Sequence, residues 1–298
     1  METTISLSAA PFNLDYTLDC GQVFRWNKRN EWWYGVVDGS IIKMKQKDDQ
    51  LIFDSSPPKN PDFMKQYLRL HDDLPEILLQ INRDEIINNA IKKFCGLHLV
   101  NQDPWECLIS YVCSRRTKIK KIKTIVYKLS RLFGEKLVLD DYIDYSFPKP
   151  ETMAKVDICD LIICDLTFGE RQASEIHQIA NKVCAGELDF GNLRELNYLD
   201  ARRKLLSLPG VGMKVADCVL LFSLNKLEAF PIDTWVKKVL LKFYGSKVSR
   251  SSASDGKSLT PSQYDKLRLF ARYYFGKYAG YAQEYLYHYI RTLDLNFQ

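Results

Sequence analysis

The sequence contains no apolar stretch that could cross a lipid bilayer. A membrane-spanning helix needs about 20 consecutive, mostly apolar residues, and no apolar run in this 298-residue chain approaches that length. The N-terminal segment METTISLSAAPF also lacks the positively charged start and apolar core of a secretory signal. We therefore expect an intracellular protein that has no contact with a membrane.

Cysteines are present, but not in a pattern typical of a metal site or a disulfide scaffold. None of the eight cysteines forms a C-x-x-C pair, and none follows Cys218. This excludes a C-terminal iron–sulfur loop, which needs four cysteine ligands. We interpret the cysteines as buried, reduced thiols in a reducing compartment.

Acidic residues are slightly outnumbered by basic ones. The chain has 42 Lys and Arg against 37 Asp and Glu, which gives a net charge of +5. This excess is too small to indicate a partner by itself, so its distribution matters more. The run RRTKIKKIK at 115–123 holds six basic residues and no acidic one. Such a run is either a solvated helix face or a contact for an anionic partner, and the run alone leaves both open.

Short sequence patterns predict strands first and helices afterwards. The segments EWWYGVV, SIIKMKQK and QLIF are rich in β-branched and aromatic residues and are separated by D-G and D-D turn signals. Helix starts of the type D-P and T-P-S-Q recur after about residue 85. The sequence therefore predicts an α+β fold, with an N-terminal antiparallel β-domain over 1–85 and a mostly helical region over 86–298.

The most informative stretch is LLSLPGVGMKVADCVLLFSLNKLEAFPIDTW at 205–235. Gly210 and Gly212 lie in a sharp turn between two predicted helices, a helix-hairpin-helix over about 199–224. Because these glycines have no side chains, backbone N–H groups at the start of the second helix can face outward and bind a phosphate. A plain helical hairpin with a glycine cap explains the same residues.

Three residues around this hairpin can carry chemistry. Lys214 lies in the first turn of the second helix, where a lysine can act as an amine nucleophile that forms a Schiff base. Cys218 lies one turn later on the same face, where a thiol or thiolate could pair with an ammonium. Asp233 follows Lys214 by nineteen residues, and its carboxylate can stabilise a positive charge that develops on a sugar. The simpler alternatives are a surface lysine near a phosphate and an aspartate that only caps a helix.

These residues resemble a known enzyme family. L-P-G-V-G-x-K-V-A-D-C followed by P-x-D is similar to the helix-hairpin-helix, Gly/Pro, Asp superfamily of DNA base-excision glycosylases, and within it to the 8-oxoguanine DNA glycosylase/AP lyase family. C-G-Q-V-F-R-W at 20–26, F-G-E-R at 168–171 and Y-A-G-Y-A-Q at 278–283 resemble further motifs of that family, in its order. The resemblance covers the chain from about residue 12 to about residue 292.

The resemblance implies a fold and a reaction. The fold is a twisted antiparallel β-domain followed by two helical domains, with the active-site cleft between the helical domains. The damaged base flips out of the duplex into this cleft. The enzyme is bifunctional: it excises 8-oxoguanine from duplex DNA and nicks the strand by β-elimination, in base-excision repair. Lys214 is the implied nucleophile that attacks C1′ and forms the Schiff base, and Asp233 stabilises the oxocarbenium-like transition state.

The resemblance also implies a pocket for the flipped base. The carbonyl of Gly21 would accept a hydrogen bond from N7–H, which oxidised guanine has and guanine lacks. Gln283 would bind the Watson–Crick edge. Tyr287 and Cys218 would stack on the two faces of the base, and Phe222 would line the pocket. Without the other motifs, an ordinary amphipathic helix would explain Gln283 and Tyr287 equally well.

The implied partner is double-stranded DNA that contains 8-oxoguanine, bound by a monomer in the cytoplasm, nucleoid or nucleus. The implied DNA contacts are the backbone N–H groups of Gly210, Gly212 and Val215 and the side chains of Arg116, Lys121, Arg171 and Trp235. The carbonyls of Leu206, Leu208 and Val211 match positions that can hold a structural cation. No redox cofactor, organic cofactor or iron–sulfur cluster is implied.

The sequence departs from the family pattern where DNA is contacted. Arg115–Lys118 replaces an asparagine run, Glu170 replaces a tyrosine, and Trp235 replaces a phosphate-contacting histidine. We therefore expect weaker discrimination of the base opposite the lesion than the family pattern suggests.

Three alternative functions fit these residues less well. A monofunctional alkylated-purine glycosylase uses water and lacks a lysine at the position of Lys214. An oxidised-pyrimidine glycosylase normally carries the iron–sulfur cluster that the cysteine pattern excludes. A DNA-binding module without activity would not need Lys214, Cys218 and Asp233 together.

Overall fold

The computed structural model describes residues 2–7, 11–248 and 258–295. The strands are β1 (Thr3–Ser6), β2 (Asn27–Arg29), β3 (Trp32–Val37), β4 (Ser40–Lys47), β5 (Gln50–Ser56), β6 (Lys136–Leu139) and β7 (Tyr142–Tyr145). The helices are α1 (Leu14–Asp19), α2 (Pro61–Tyr67), α3 (Leu74–Ile81), α4 (Glu85–Lys93), α5 (Pro104–Cys113), α6 (Ile119–Phe133), α7 (Pro150–Met153), α8 (Ile158–Ile162), α9 (Gly169–Cys184), α10 (Phe190–Glu195), α11 (Tyr198–Leu206), α12 (Met213–Ser223), α13 (Thr234–Tyr244), α14 (Pro261–Phe275) and α15 (Ala279–Leu295). The predicted α+β class, with a sheet first and helices after it, is confirmed.

The N-terminal sheet is antiparallel and has the strand order β1-β5-β4-β3-β2. Two-residue turns connect its central strands, as the D-G and D-D signals predicted. In the first of these turns, Asp38 and Gly39 have φ values of 46° and 70°, the left-handed conformation that matches the twist of a hairpin. The register then places Trp33 opposite Met44, and Met44 opposite Phe53, so that large apolar side chains share one buried face.

The tryptophan of the C-G-Q-V-F-R-W segment anchors the sheet to the helix that follows it. Trp26 is almost fully buried, and its indole N–H donates a 2.7 Å hydrogen bond to the hydroxyl of Tyr67. A Cβ at Gly35 would strike the Trp26 ring, so strand β3 needs a glycine at this point. This part of the motif therefore supports the fold.

A second, two-stranded sheet lies within the helical region. The region after residue 85 is mostly helical, as predicted, but the strands β6 and β7 within it were not predicted. Their sequence KLVLDDYIDY alternates and contains a D-D turn, the same signal that marked the first sheet. The hairpin forms because it can pack on the N-terminal sheet: the Tyr142 ring stacks on Tyr34 with a centroid distance of 4.6 Å.

Helices α1 and α2 pack with the N-terminal sheet, whereas helices α3 to α15 contribute to one large apolar core. Helix α12 lies inside it and packs against α5 and α11, while α15 packs against α3, α4 and α13. Gly280 permits a close approach at the start of α15, because a Cβ there would strike the Leu221 side chain of α12. The glycine of the Y-A-G-Y-A-Q segment thereby brings the base-pocket residues of α15 close to α12.

All eight cysteines lie in the described part of the chain and are free thiols. The expectation that they are buried is correct for five of them and wrong for Cys95, Cys159 and Cys184, which are exposed. Within the described residues, no helix combines the length and apolar character that a membrane span requires.

Candidate active site

The predicted helix-hairpin-helix is formed by α11, the turn 207–212 and α12. Gly210 has a φ of 74°, and a Cβ there would lie 2.6 Å from Oε2 of Glu175. Both the left-handed backbone and this close approach require glycine. Gly212 is the N-cap of α12, and no side chain in the described structure caps this helix. The N–H groups of its first turn, including that of Val215, are therefore oriented as an anion site requires.

Lys214 is held at the start of α12 by Tyr111 of α5 and by Ser114, the C-cap of that helix. Its Nζ donates a 2.9 Å hydrogen bond to Oγ of Ser114 and lies 4.6 Å from the centroid of the Tyr111 ring. The Ser114 hydroxyl donates its own proton to the Tyr111 carbonyl at 2.7 Å, which leaves a lone pair for the lysine. This geometry fixes the amine on the side of α12 that faces α5.

Asp233 is both the N-cap of α13 and a neighbour of the lysine. Its Oδ1 accepts a 2.8 Å hydrogen bond from the Val236 N–H. Burial raises the pKa of Asp233, while the capping N–H groups and the Lys214 ammonium oppose that rise. Asp233 therefore does cap α13, as the simpler alternative proposed. The same carboxylate also interacts electrostatically with Lys214.

Cys218 lies in the interior below the lysine. Burial raises the pKa of its thiol to about 12, and the nearby Lys214 charge only partly opposes this effect. Of the two states considered from the sequence, the neutral thiol is therefore favoured at neutral pH. A neutral, polarisable sulfur suits a surface on which a flat base stacks.

The turn after α1 lies against α15 where the base pocket is predicted. Gly21 has a φ of 106°, and a Cβ on it would lie 3.3 Å from the Tyr287 hydroxyl and 3.0 Å from Nη1 of Arg291. Arg291 donates a 2.6 Å hydrogen bond to the Cys20 carbonyl, and its guanidinium lies 5.2 Å from the Tyr287 ring centroid. The structure thus places Gly21 and Tyr287 together, although they are far apart in sequence.

Gln22 holds this turn in place. Its Nε2 donates to the carbonyls of Thr17 and His98, both at 2.9 Å, and its Oε1 accepts from the Val100 N–H at 2.7 Å. All three bonds are buried, which makes the G-Q pair a rigid support for the Gly21 carbonyl.

Phe222 of α12 and Gln283 of α15, the other two predicted pocket residues, are also buried. Phe222 stacks on Tyr111 with a centroid distance of 5.7 Å and an interplanar angle of 10°. Gln283 is 4% exposed, and its Oε1 has no hydrogen-bond partner within the described residues. A buried acceptor without a partner is unfavourable in the free protein and becomes favourable when a ligand donates to it.

The predicted DNA contacts differ in their surroundings. Arg116 is exposed and has a φ of 52°. Lys121 forms an ion pair with Asp165. The side chain of Arg171 is 78% exposed, with Nε 3.1 Å from Oε1 of Glu175. Trp235 is half-buried, and its ring lies 5.6 Å from Nζ of Lys238.

The carbonyls proposed for a cation lie at the hairpin turn. The Val211 N–H donates a 3.3 Å hydrogen bond to the Leu208 carbonyl, which uses one of the two lone pairs of that oxygen. The second lone pair of Leu208 and the carbonyls of Leu206 and Val211 are of the chemical type that hard cations prefer. Over the described ranges, no cluster of three or more His, Cys, Asp or Glu side chains is suited to hold a metal ion.

Asp217 is a buried residue whose role the sequence analysis did not identify. Its carboxylate accepts hydrogen bonds from the hydroxyls of Tyr198 at 2.6 Å and Tyr264 at 2.8 Å, and from Nε of Arg202 at 3.0 Å. These bonds join α11, α12 and α14 behind the hairpin. Ser114 was also missed, because it lies 100 residues before Lys214 and no short motif links the two.

Two family models together match residues 4–257. Residues 4–108 match the N-terminal domain of 8-oxoguanine DNA glycosylase. Residues 109–257, half of the chain, match the HhH-GPD superfamily of base excision DNA repair proteins.

Two relatives align with most of the chain. The N-glycosylase/DNA lyase OGG1 of Arabidopsis thaliana is 26% identical over 294 residues, which cover 95% of this chain and 78% of the relative. The N-glycosylase/DNA lyase of Saccharomyces cerevisiae is 26% identical over 316 residues, which cover 94% of this chain and 83% of the relative.

Two solved structures are similar to this one over nearly the whole chain. MBOgg1, in complex with a low-affinity DNA ligand, is 31% identical with a TM-score of 0.87, and the match covers 98% of this chain and 96% of that one. The 8-oxoguanine glycosylase/lyase of Clostridium acetobutylicum, bound to double-stranded DNA with cytosine opposite 8-oxoguanine, is 28% identical with a TM-score of 0.86, covering 99% and 98%. The resemblance seen in the sequence is thereby confirmed, and the chain belongs to the 8-oxoguanine DNA glycosylase family of the HhH-GPD superfamily.

Proposed function

We propose that this protein excises 8-oxoguanine from duplex DNA and nicks the strand at the resulting site, with Lys214 as the nucleophile of both steps. Membership of the family gives the activity class, a DNA N-glycosylase with AP lyase activity. The observation that carries the assignment of the nucleophile is the placement of Lys214 Nζ, 2.9 Å from Ser114 Oγ and within electrostatic reach of Asp233.

The reaction begins when the damaged nucleotide leaves the base stack and enters the cleft between the helical parts. As the bond between C1′ and the base breaks, its electron pair leaves with the base and positive charge develops on the sugar. The Asp233 carboxylate stabilises this charge. The Lys214 ammonium gives a proton to the departing base, and the neutral amine that remains forms a bond to C1′. A proton then passes from the nitrogen to the ring oxygen as the sugar ring opens, which gives the protonated Schiff base. Loss of a proton from C2′ expels the 3′ phosphate, which nicks the strand.

Recognition of the base depends on the turn after α1 and on α15. The Gly21 carbonyl accepts a hydrogen bond from the N7–H of oxidised guanine, whereas the N7 lone pair of guanine would repel it. Gln283 uses its buried, unpartnered Oε1 to accept from the donors on the Watson–Crick edge. The Tyr287 ring stacks on one face of the base and Cys218 contacts the other, with Phe222 at the wall of the pocket.

Contacts to DNA outside the pocket rely on the hairpin and on four side chains. The N–H groups of Gly210, Gly212 and Val215 bind a phosphate together with Trp235, and Arg116, Lys121 and Arg171 contact the DNA around the base opposite the lesion. A cation at the carbonyls of Leu206, Leu208 and Val211 would hold the turn in its DNA-binding conformation and take no part in the chemistry. The protein acts on DNA as a monomer.

Covalent trapping tests the proposal. The protein is incubated with a duplex that contains one 8-oxoguanine opposite cytosine, and borohydride is added to reduce any Schiff base. We expect a stable protein–DNA complex that an undamaged duplex does not give. Excision without any trapped complex would show that water, and not an amine of this protein, is the nucleophile.

A further inference from the structure

Glu175 joins two arginines beside the hairpin turn. Its carboxylate forms an ion pair with Nη2 of Arg115 through Oε2 and another with Nε of Arg171 through Oε1, at 3.1 Å. The same Oε2 lies against the Cα of Gly210, because a Cβ there would be 2.6 Å from it. The pairs thus link α9, the end of α5 and the DNA-binding turn.

The two arginines are held very differently. Arg115 is fixed from three sides: its Nε donates to the Val112 carbonyl at 3.1 Å, its guanidinium lies 5.0 Å from the Phe168 ring centroid, and Glu175 binds its end. The Arg171 side chain is 78% exposed, and Glu175 engages its Nε. Arg115 therefore acts as a fixed counter-ion, while Glu175 engages only the Nε of the exposed Arg171 side chain, which leaves its two Nη groups for a ligand.

A buried carboxylate next to a phosphate-binding turn opposes DNA binding by its charge. The three side chains carry a net charge of +1, where the two arginines alone would carry +2. Glu175 therefore lowers the general affinity for DNA. In return, its ion pair with Arg171 fixes the orientation of that side chain.

We propose that Glu175 is a positioning residue that aims the Arg171 guanidinium at the base opposite the lesion. This inference rests on the proposed function. When 8-oxoguanine flips out, the Watson–Crick edge of the remaining base is free. Cytosine presents two adjacent acceptors, O2 and N3, which match the two remaining donors of a guanidinium. Adenine presents one acceptor beside a donor, and guanine and thymine place an N–H where N3 of cytosine accepts.

The test compares excision opposite cytosine and adenine in Glu175→Gln, under single-turnover conditions with saturating enzyme. We expect the preference for cytosine to fall about tenfold, because a well-aligned two-donor contact gives discrimination of this order. Affinity for undamaged duplex should stay the same or rise, since a negative charge is removed. The matched control is Glu195→Gln, the same change at an exposed residue at the end of α10, which should leave the preference unchanged.

Two further variants keep the inference testable if Glu175→Gln folds poorly in a thermal melt. Glu175→Asp retains the charge and should restore part of the preference. Arg171→Lys retains the positive charge but lacks the two-donor fork, and should lose the preference as Glu175→Gln does. An unchanged preference in Arg171→Lys, or an equal loss of affinity for damaged and undamaged DNA in Glu175→Gln, would overturn the inference. Absence of 8-oxoguanine excision by the unmodified protein opposite all four bases would instead overturn the proposed function.

Discussion

Lys214 Nζ donates a 2.9 Å hydrogen bond to Oγ of Ser114, a residue 100 positions earlier in the chain. The bond connects the first turn of α12 to the C-cap of α5. It orients the amine toward α5, while Asp233 caps α13 through Oδ1 and acts on Lys214 through its charge. A Schiff-base nucleophile must present its amine to C1′ in a fixed position, and this hydrogen bond supplies that orientation.

Replacement of this lysine should separate binding from chemistry. We expect Lys214→Gln to bind a duplex with 8-oxoguanine but to give no borohydride-trapped complex, because the amide cannot form a Schiff base. Gel-shift titration and denaturing electrophoresis measure the two properties. If the variant is still trapped, the nucleophile is another amine.

Ser114→Ala should slow excision strongly and lower the stability of the fold only slightly. Loss of the hydroxyl removes the bond to Lys214 and should reduce single-turnover excision about tenfold, since misplaced reacting groups lose rate steeply. Stability should fall by about 1 kcal/mol in a urea titration. Ser207→Ala is the stability control, because Ser207 Oγ also donates to a carbonyl at the end of its helix, at 2.7 Å. A rate that equals that of the unmodified protein would mean that Ser114 does not position the amine.

Tyr287→Ala should weaken binding of damaged DNA selectively. Loss of base stacking should reduce its binding free energy by roughly 1–3 kcal/mol, while binding of undamaged duplex changes little, because no base is flipped. Fluorescence anisotropy with both duplexes measures the difference. Equal losses on the two would place Tyr287 outside the pocket.

Discrimination of the opposite base should be moderate. Lys121 is already paired with Asp165, and Arg116 can only donate hydrogen bonds, whereas an asparagine also accepts. With Arg171 as the main remaining contact, we expect a preference for cytosine over adenine of no more than about a hundredfold. Single-turnover excision opposite each of the four bases measures it. A much larger preference would reveal a cytosine contact that Arg116 and Lys121 do not explain.

Glu284→Gln should change the pH dependence of stability. Burial raises the pKa of Glu284 from 4.5 to about 7, although Arg291 and a hydrogen bond with Cys20 oppose the rise. Between pH 4.5 and pH 7 the folded state keeps a proton on Glu284 that the unfolded chain has released. The free energy of unfolding therefore falls as pH rises through this range, and this effect of Glu284 stops increasing above pH 7. We expect the stability of Glu284→Gln minus that of the unmodified protein to increase over this range by on the order of 3 kcal/mol.

Urea titrations at several pH values between 4.5 and 8 measure this difference. Glu195→Gln serves as the control, since Glu195 is exposed and its replacement should give a difference that does not change with pH. A flat difference for Glu284→Gln as well would mean that Glu284 is ionised throughout the folded state.

Local sequence was sufficient to predict the hairpin and the positions of Lys214 and Asp233, because helix starts, caps and glycine turns depend on neighbouring residues. The strands β3 to β5 and their turns were predicted for the same reason. The β6–β7 hairpin carried an equally local signal in its alternation, and it was missed because the surrounding segments are helical.

Only the tertiary structure determined how distant residues act together. Ser114 reaches Lys214, Glu175 reaches Arg115, and Gly21 faces Tyr287 through tertiary packing, and no spacing along the chain encodes those contacts. The protonation of Cys218 and Glu284 likewise depends on burial, which removes water from a charge and is a property of the packed interior. The sequence thus determined which chemical groups are available, and the packing determined which of them meet and in which ionisation state.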